Sequence, residues 1–308
     1  MTDRPVCDYE GSNYQDDFWG KGEREYEDRA EQIALKAMLP KAGGLFLEIG
    51  AGAGRQTPLL KNFDHVVLMD YSRTQLEQAR ERLGTSTRYT FVAANVYQLP
   101  FKPRVFSAAM MIRVMHHLVE PLAALKEIKS TLAEGGAFIL EFANKQNLKS
   151  ILRYALRQQS WSPFSPEPVE FVKLNFDFHP QTMRQWIREA GFEIKAQRSV
   201  SHYRIGALKK IVPPTLLAAL DGAVQPTGEW IQFAPSVFIK AEVRSQESGV
   251  RSKSPRDESN LQAKRPTSIF VCPICKGELQ KESDYFQCSA CGKKWGIRNG
   301  IYDFKEAL

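Results

Sequence analysis

The segment Leu45–Arg55, LFLEIGAGAGR, constrains the fold more than any other: an apolar run, an acid, then glycines at 50, 52 and 54. An apolar strand running into a glycine turn is the opening of a twisted α/β sheet, in which ligands carrying a nucleoside bind beyond the carboxyl ends of the strands. Two kinds of site share this turn, so the neighbours decide between them. A dinucleotide fingerprint wants a small residue three positions after its second glycine, where helix and strand pack closely, and here that place is Arg55. Asp70, 20 residues after Gly50, can chelate a ribose in either kind of site.

The surrounding pattern predicts repeated strand and helix units. After an amphipathic helix over residues 23–39, strands are expected at LFLEIG, VVLMD (66–70), YTFVAA (89–94), FSAAMMI (106–112) and AFILEFA (137–143). Ser72 and Gln75 form a capping box that opens a helix closed by Gly84, and Pro121 starts another. A helix ending at Gly191 and alternating runs at 192–200 and 236–243 complete the domain with an antiparallel edge. The expected fold is therefore a doubly wound α/β domain with a mostly parallel, seven-stranded sheet. Residues 244–266 are almost devoid of large apolar side chains and read as a flexible linker.

The blocks LEIGAGAGR, VVLMDYS, AANVYQLPF, FSAAMMIRVMHHL and LAEGGAFILEF resemble, in order, class I S-adenosylmethionine-dependent methyltransferases of the type found in ubiquinone and menaquinone biosynthesis. The resemblance covers residues 44–143 strongly and extends loosely to 243. It implies that Gly50, Ala51 and Gly52 pass close to the amino acid part of the cofactor and that Glu48 meets its α-ammonium. It further implies that Asp70 takes the ribose, that Tyr71 lies against the adenine, and that Asn95, with the Val96 amide, meets the adenine amino group. Asn95 stands where the family usually has Asp, and an amide oxygen still accepts that bond, with less electrostatic help. Taken singly, these residues also read as a tight turn, a strand-end carboxylate and a helix cap.

Methyl transfer requires alignment, exclusion of water and, for hydroxyl or amine acceptors, removal of a proton. By the same resemblance IRVMHHL points into the cleft, which makes Arg113, His116 and His117 the candidates for substrate contact or proton acceptance; a structural histidine pair is the plainer alternative. Residues 144–178 read as an inserted substrate cover with a basic amphipathic helix and Trp161, Phe164, Pro166 and Phe171, which either meet an apolar acceptor or pack the cover down. Tyr9, Tyr14, Phe18 and Trp19 are placed to close the cofactor pocket from the other side.

Four of the five cysteines form two pairs, Cys272/Cys275 and Cys288/Cys291, with two residues inside each pair and twelve between them. This spacing predicts a closed tetrahedral zinc site, with iron or redox cysteines as lesser alternatives, while Cys7 reads as a bystander. Asn299-Gly300 reads as a hairpin turn. The tail resembles the small zinc-binding proteins that pair with and activate tRNA, rRNA and release-factor methyltransferases.

The domains expected are thus a methyltransferase domain over 1–243, the linker, and a zinc ribbon over 267–308. The polar N-terminus and the lack of any apolar run near ~20 residues predict a soluble, cytoplasmic protein without a transmembrane segment. Net charge is +7, and residues 148–210 hold 11 basic against 5 acidic side chains. That basic segment, with the ribbon, keeps open an RNA or protein substrate. A small-molecule acceptor, lipid-like or aromatic, is preferred, because the Asn/Asp-Pro-Pro-Tyr block typical of base and glutamine methylation is replaced by IRVM. A non-catalytic cofactor-binding scaffold is the third alternative.

Overall fold

The computed structural model describes residues 4–12, 19–20, 24–244 and 269–308. Tyr14, Phe18 and residues 245–266 of the expected linker lie outside the described residues. The helix α1 (Glu25–Met38) carries Glu25, Glu27 and Asp28 in its first turn, where carboxylates suit the helix dipole, and buries Tyr26, Ala30, Ala34, Leu35 and Met38.

Five parallel strands follow: β1 (Gly43–Ile49), β2 (Phe63–Asp70), β3 (Tyr89–Ala93), β4 (Phe106–Met111) and β5 (Leu132–Ala143). Between them lie α2 (Arg73–Leu83), capped by the Ser72 hydroxyl, which accepts from the Gln75 amide at 3.3 Å, and α3 (Pro121–Thr131). Their apolar residues bury on both faces of the sheet, as parallel strands between helical layers must. The insertion after β5 contains α4 (Leu148–Ala155) and a small hairpin, β6 (Val169–Val172) and β7 (Asn175–Asp177), which local sequence did not signal. Then come α5 (Pro180–Glu189), β8 (Phe192–Val200), α6 (Gly206–Ile211), α7 (Pro214–Val224) and β9 (Ser236–Val243). As the alternation suggests, β9 runs antiparallel between β5 and β8.

The sheet does not stop at the seven strands expected. Its order is β10-β11-β12-β13-β3-β2-β1-β4-β5-β9-β8, eleven strands in all. The additional four come from the cysteine-rich tail: β10 (Leu279–Lys281), β11 (Tyr285–Cys288), β12 (Lys294–Arg298) and β13 (Ile301–Asp303). Within this antiparallel meander Asn299 and Gly300 both take positive φ, 51° and 73°, as a tight hairpin turn requires. β13 then pairs in parallel with β3, Tyr302 opposite Val92.

The tail docks further through Phe270, whose ring lies 5.9 Å from Phe101 and 5.1 Å from Phe304. The amides of Lys102 and Val271 exchange bonds with Ile269 and Pro100 across the same seam, at 2.8 and 2.9 Å. Phe270, Phe286, Trp295 and Phe304 thereby join the apolar cluster that holds Leu47, Val67 and Val92. The tail and the parallel domain share one core. Among the described residues no helix is long and apolar enough to cross a membrane.

Candidate active site

The cavity opens at the carboxyl ends of β1, β2 and β4. Gly50 begins the turn with its amide donating to the Met69 carbonyl at 2.8 Å and with φ at +67°. A Cβ there would lie 2.0 Å from Val114 Cγ2, so only glycine lets the segment after β4 come this close. Beyond Gly54 the chain forms a four-residue 3-10 turn, Thr57–Leu60, rather than an α-helix. The stack of amides and the helix dipole that a pyrophosphate needs are therefore missing from this turn. Arg55 instead reaches back to α1, where it pairs with Glu31 at 2.7 Å and with Asp28, and lies 3.7 Å from the centre of the Trp19 ring.

Two carboxylates flank the turn. Glu48 is 4% exposed and accepts from the Thr57 hydroxyl at 2.7 Å. Burial pushes its carboxyl up to about 7, against the pull of Thr57 and Arg55, and the nearby Asp70 adds to the rise. Asp70 accepts from the Gly52 amide at 2.8 Å through one oxygen and from the Ser72 amide at 2.9 Å through the other, so it shapes the glycine turn and caps the entry to α2 while facing the cavity. Its carboxyl is also raised, first by burial. Arg55 and Arg113 also line the cavity but are both paired with Glu31, which leaves Glu48 and Asp70 as its unpaired charges among the described residues and favours a ligand that brings its own positive charge.

Glu48, Gly50, Ala51, Gly52, Asp70, Tyr71, Val96, Arg113 and His117 all line this cavity; Asn95 and His116 do not. The Asn95 oxygen accepts from the Tyr97 amide at 3.0 Å, which fixes the loop after β3 from within. His116 lies behind His117, ring centres 4.0 Å apart and planes tilted by 48°, and burial together with His117 and Arg113 holds it well below the ordinary imidazole value. Arg113, at φ +60°, is a wall of the cavity: its guanidinium pairs with the fully buried Glu31, Nε to oxygen 2.7 Å, and its amide donates to Glu141 at 3.0 Å. Although burial opposes it, Arg113 and Arg55 keep Glu31 below the usual carboxylate range.

His117 has a defined tautomer. Its Nδ1 lies 2.8 Å from the Leu174 carbonyl in the β6–β7 turn, and a carbonyl only accepts, so Nδ1 carries the proton. Burial lowers its basicity, and in the neutral ring Nε2 accepts from the Tyr9 hydroxyl at 3.1 Å. The inserted hairpin thus orients the one histidine that faces the cavity. Of the cover aromatics, Phe164 and Phe171 are exposed and none lines the cavity. Tyr9 and Trp19 do line it, and so does Cys7, which sequence reasoning had set aside and for which its position offered no signal.

In the tail the four Sγ atoms lie within 4.8 Å of one another, with Cys272 3.8 Å from Cys291 and Cys275 3.4 Å from Cys288. A tetrahedron of thiolates ~2.3 Å from one zinc has edges of ~3.8 Å. A Cβ on Gly277 would lie 3.1 Å from Cys288 Sγ and 3.2 Å from Cys275 Sγ, so the residues fit one small ion. The tail also reaches the cavity rim: Lys305 Nζ lies 5.0 Å from the centre of the Tyr71 ring and 3.1 Å from Glu10, whose carboxylate accepts from the amides that open α2.

The chain carries a methyltransferase domain in a Rossmann-like sheet, with two carboxylates lining the cleft at the carboxyl ends of its strands. Residues 47–140 match the family described as a methyltransferase domain. The chain is 29% identical over 204 residues to a demethylmenaquinone methyltransferase of Clavibacter sepedonicus, a match covering 63% of this chain and 78% of that protein. Its fold is similar to an S-adenosylmethionine-dependent methyltransferase of Thermotoga maritima (22% identity, TM-score 0.51, 75% of this chain and 98% of that one). It is also similar to a chain in a Haloferax volcanii complex of the Trm112 methyltransferase activator with a protein described as a methyltransferase (16% identity, TM-score 0.54, 75% and 96%).

Proposed function

We propose that the protein transfers the methyl group of S-adenosylmethionine to a small lipid-like or aromatic acceptor, and that its four tail thiolates hold a structural zinc ion. The observation that carries this reading is the pair Glu48 and Asp70 beside a glycine turn followed by a short 3-10 helix in place of an α-helix. The cofactor supplies an electrophilic methyl on a sulfonium. Glu48 receives the α-ammonium, Asp70 the ribose hydroxyls, and Tyr71 and the Val96 amide flank the adenine, while Asn95 holds the loop that carries Val96 from within. Gly50, Ala51 and Gly52 let the backbone approach the amino acid end. His117 Nε2 is the proton acceptor for an acceptor hydroxyl, with His116 as packing behind it and Arg113 as a positioning residue.

The acceptor class is supported by the demethylmenaquinone name of the relative and by an apolar wall that includes Met110, Ile112 and Leu118. Residues 1–243 are the catalytic domain, 244–266 a linker and 267–308 a zinc ribbon. Cys272, Cys275, Cys288 and Cys291 leave an ion no open position, so the ribbon is structural.

Titration of purified protein with adenosylmethionine, adenosylhomocysteine and a nicotinamide dinucleotide tests the cofactor; binding of the dinucleotide alone overturns the reading. Incubation with methyl-labelled cofactor and cell extract, separated into lipid, small-metabolite, RNA and protein fractions, tests the acceptor, with label in RNA or protein as the contrary result. Metal analysis of Cys288→Ser should show zinc lost.

A further inference from the structure

The helix α4 has its polarity reversed. Ser150 is its buried residue, whereas Leu148 and Leu152, with Leu156 at its C-cap, point outward at 52, 53 and 66% exposure. In a helix that packs on its own core the leucine stripe would face inward. Nor is the stripe isolated. The Leu148 amide donates to the Phe233 carbonyl at 2.9 Å, which brings the exposed Trp230, Ile231 and Phe233 alongside, and the Tyr154 ring meets Phe164 edge-on at 6.5 Å.

The patch is rigidly built. Asn147 caps α4 by accepting from the Ser150 amide at 3.0 Å. Asn144 donates to the carbonyls of Gln232 and Ala234, both at 2.8 Å. Lys145, fully buried, donates to the Ser165 carbonyl at 3.0 Å and ties the following loop to the end of β5. Lys149, Arg153 and Arg157 follow the leucines at the same four-residue spacing, one position along, and residues 148–166 contain no acid.

We propose that this face docks on the surface of an anionic lipid bilayer, with the leucines and Trp230 entering the headgroup layer and the three basic side chains meeting lipid phosphates. An exposed apolar stripe flanked by Lys and Arg has the composition of a helix that lies in a membrane interface. Charge argues against the other occupants. A two-fold contact between copies would bring Lys149 and Arg153 of α4, with Arg157 just beyond its end, against the same three side chains of its mate. A nucleic acid would leave the leucines without a partner. The docking deepens the lipid-like acceptor reading, because the β6–β7 hairpin that orients His117 belongs to the same insertion.

The test is co-sedimentation of the full chain, without acceptor, with vesicles of phosphatidylcholine alone or with about a third phosphatidylglycerol. Binding to the anionic vesicles is expected, weakened about fivefold by Arg153→Gln and reduced by added salt. The variant Leu152→Ser/Leu156→Ser should lose at least about tenfold while keeping the wild-type melting temperature and cofactor affinity. Absence of vesicle binding by wild type, or indifference to the leucine changes, overturns the proposal. So does a dimer that dissociates in the leucine variant without vesicle binding. Label in the lipid fraction without vesicle binding would sink the dock and spare the acceptor reading, whereas vesicle binding with label elsewhere would do the reverse.

Discussion

Glu48 is a carboxyl the fold holds at a cost. Moving it from an ordinary 4.5 to about 7 opposes folding by roughly 3 kcal/mol above neutrality, since each unit is worth ~1.4 kcal/mol. The sign follows from proton uptake: the native state binds the proton more tightly than the unfolded chain, so this handicap is absent below pH ~4.5 and complete above pH ~7. Glu48→Gln should therefore raise the melting temperature of the ligand-free protein at pH 8 and not at pH 4, as calorimetry would show. The same variant should bind adenosylmethionine more weakly. In the wild type, cofactor affinity should fall up to about tenfold per pH unit below 7, because the ammonium needs an ionised partner; a flat isothermal titration profile would contradict that pairing. His117→Ala should lower turnover by about 100-fold, the contribution typical of a general base, with cofactor affinity unchanged. The types of these residues were legible in the sequence. Their partners were not: that His117 is oriented by Leu174 and Arg113 neutralised by Glu31 depends on contacts 57 and 82 residues apart in the chain.

At the scale of elements, the strands and helices of residues 43–143 lay close to where apolar runs, Ser72, Gly84 and Pro121 placed them, because parallel strands buried on both faces leave a continuous apolar signature. The β6–β7 hairpin was hidden since Leu174 occupies its positive-φ position, +56°, in place of the usual Gly or Asn. The glycine turn was visible as a pattern, but its reason, the approach of Val114, is tertiary. Gly50→Ala should cost more than about 2 kcal/mol by denaturant titration, combining the φ of +67° with the 2.0 Å clash, and should abolish cofactor binding. Gly84→Ala, whose added Cβ meets nothing within 4 Å, should cost about 1–3 kcal/mol through the backbone alone, because φ 77° with ψ −179° is a conformation kept almost entirely by glycine.

For the molecule as a whole, the cysteine spacing announced a compact tail, while nothing local announced its attachment. β13 is three residues long and pairs with a strand some 210 positions earlier, a register no window of sequence can encode. Through Phe270 and Lys305 the tail supports both the core and the cavity rim. If the thiolates hold zinc as proposed, a chelator should thus lower the melting temperature and weaken cofactor binding together. Lys305→Ala should weaken cofactor binding a few-fold with the metal content intact.

The parallel sheet would otherwise end at β3, the apolar run YTFVA, with a bare row of amides and carbonyls. With the tail in place, the border on that side is β10, whose LQK is short and carries a lysine. A chain cut before Ile269 should accordingly stick to its own copies and precipitate during expression, a fate set by an uncovered margin and not by any damage to the chemistry beside it.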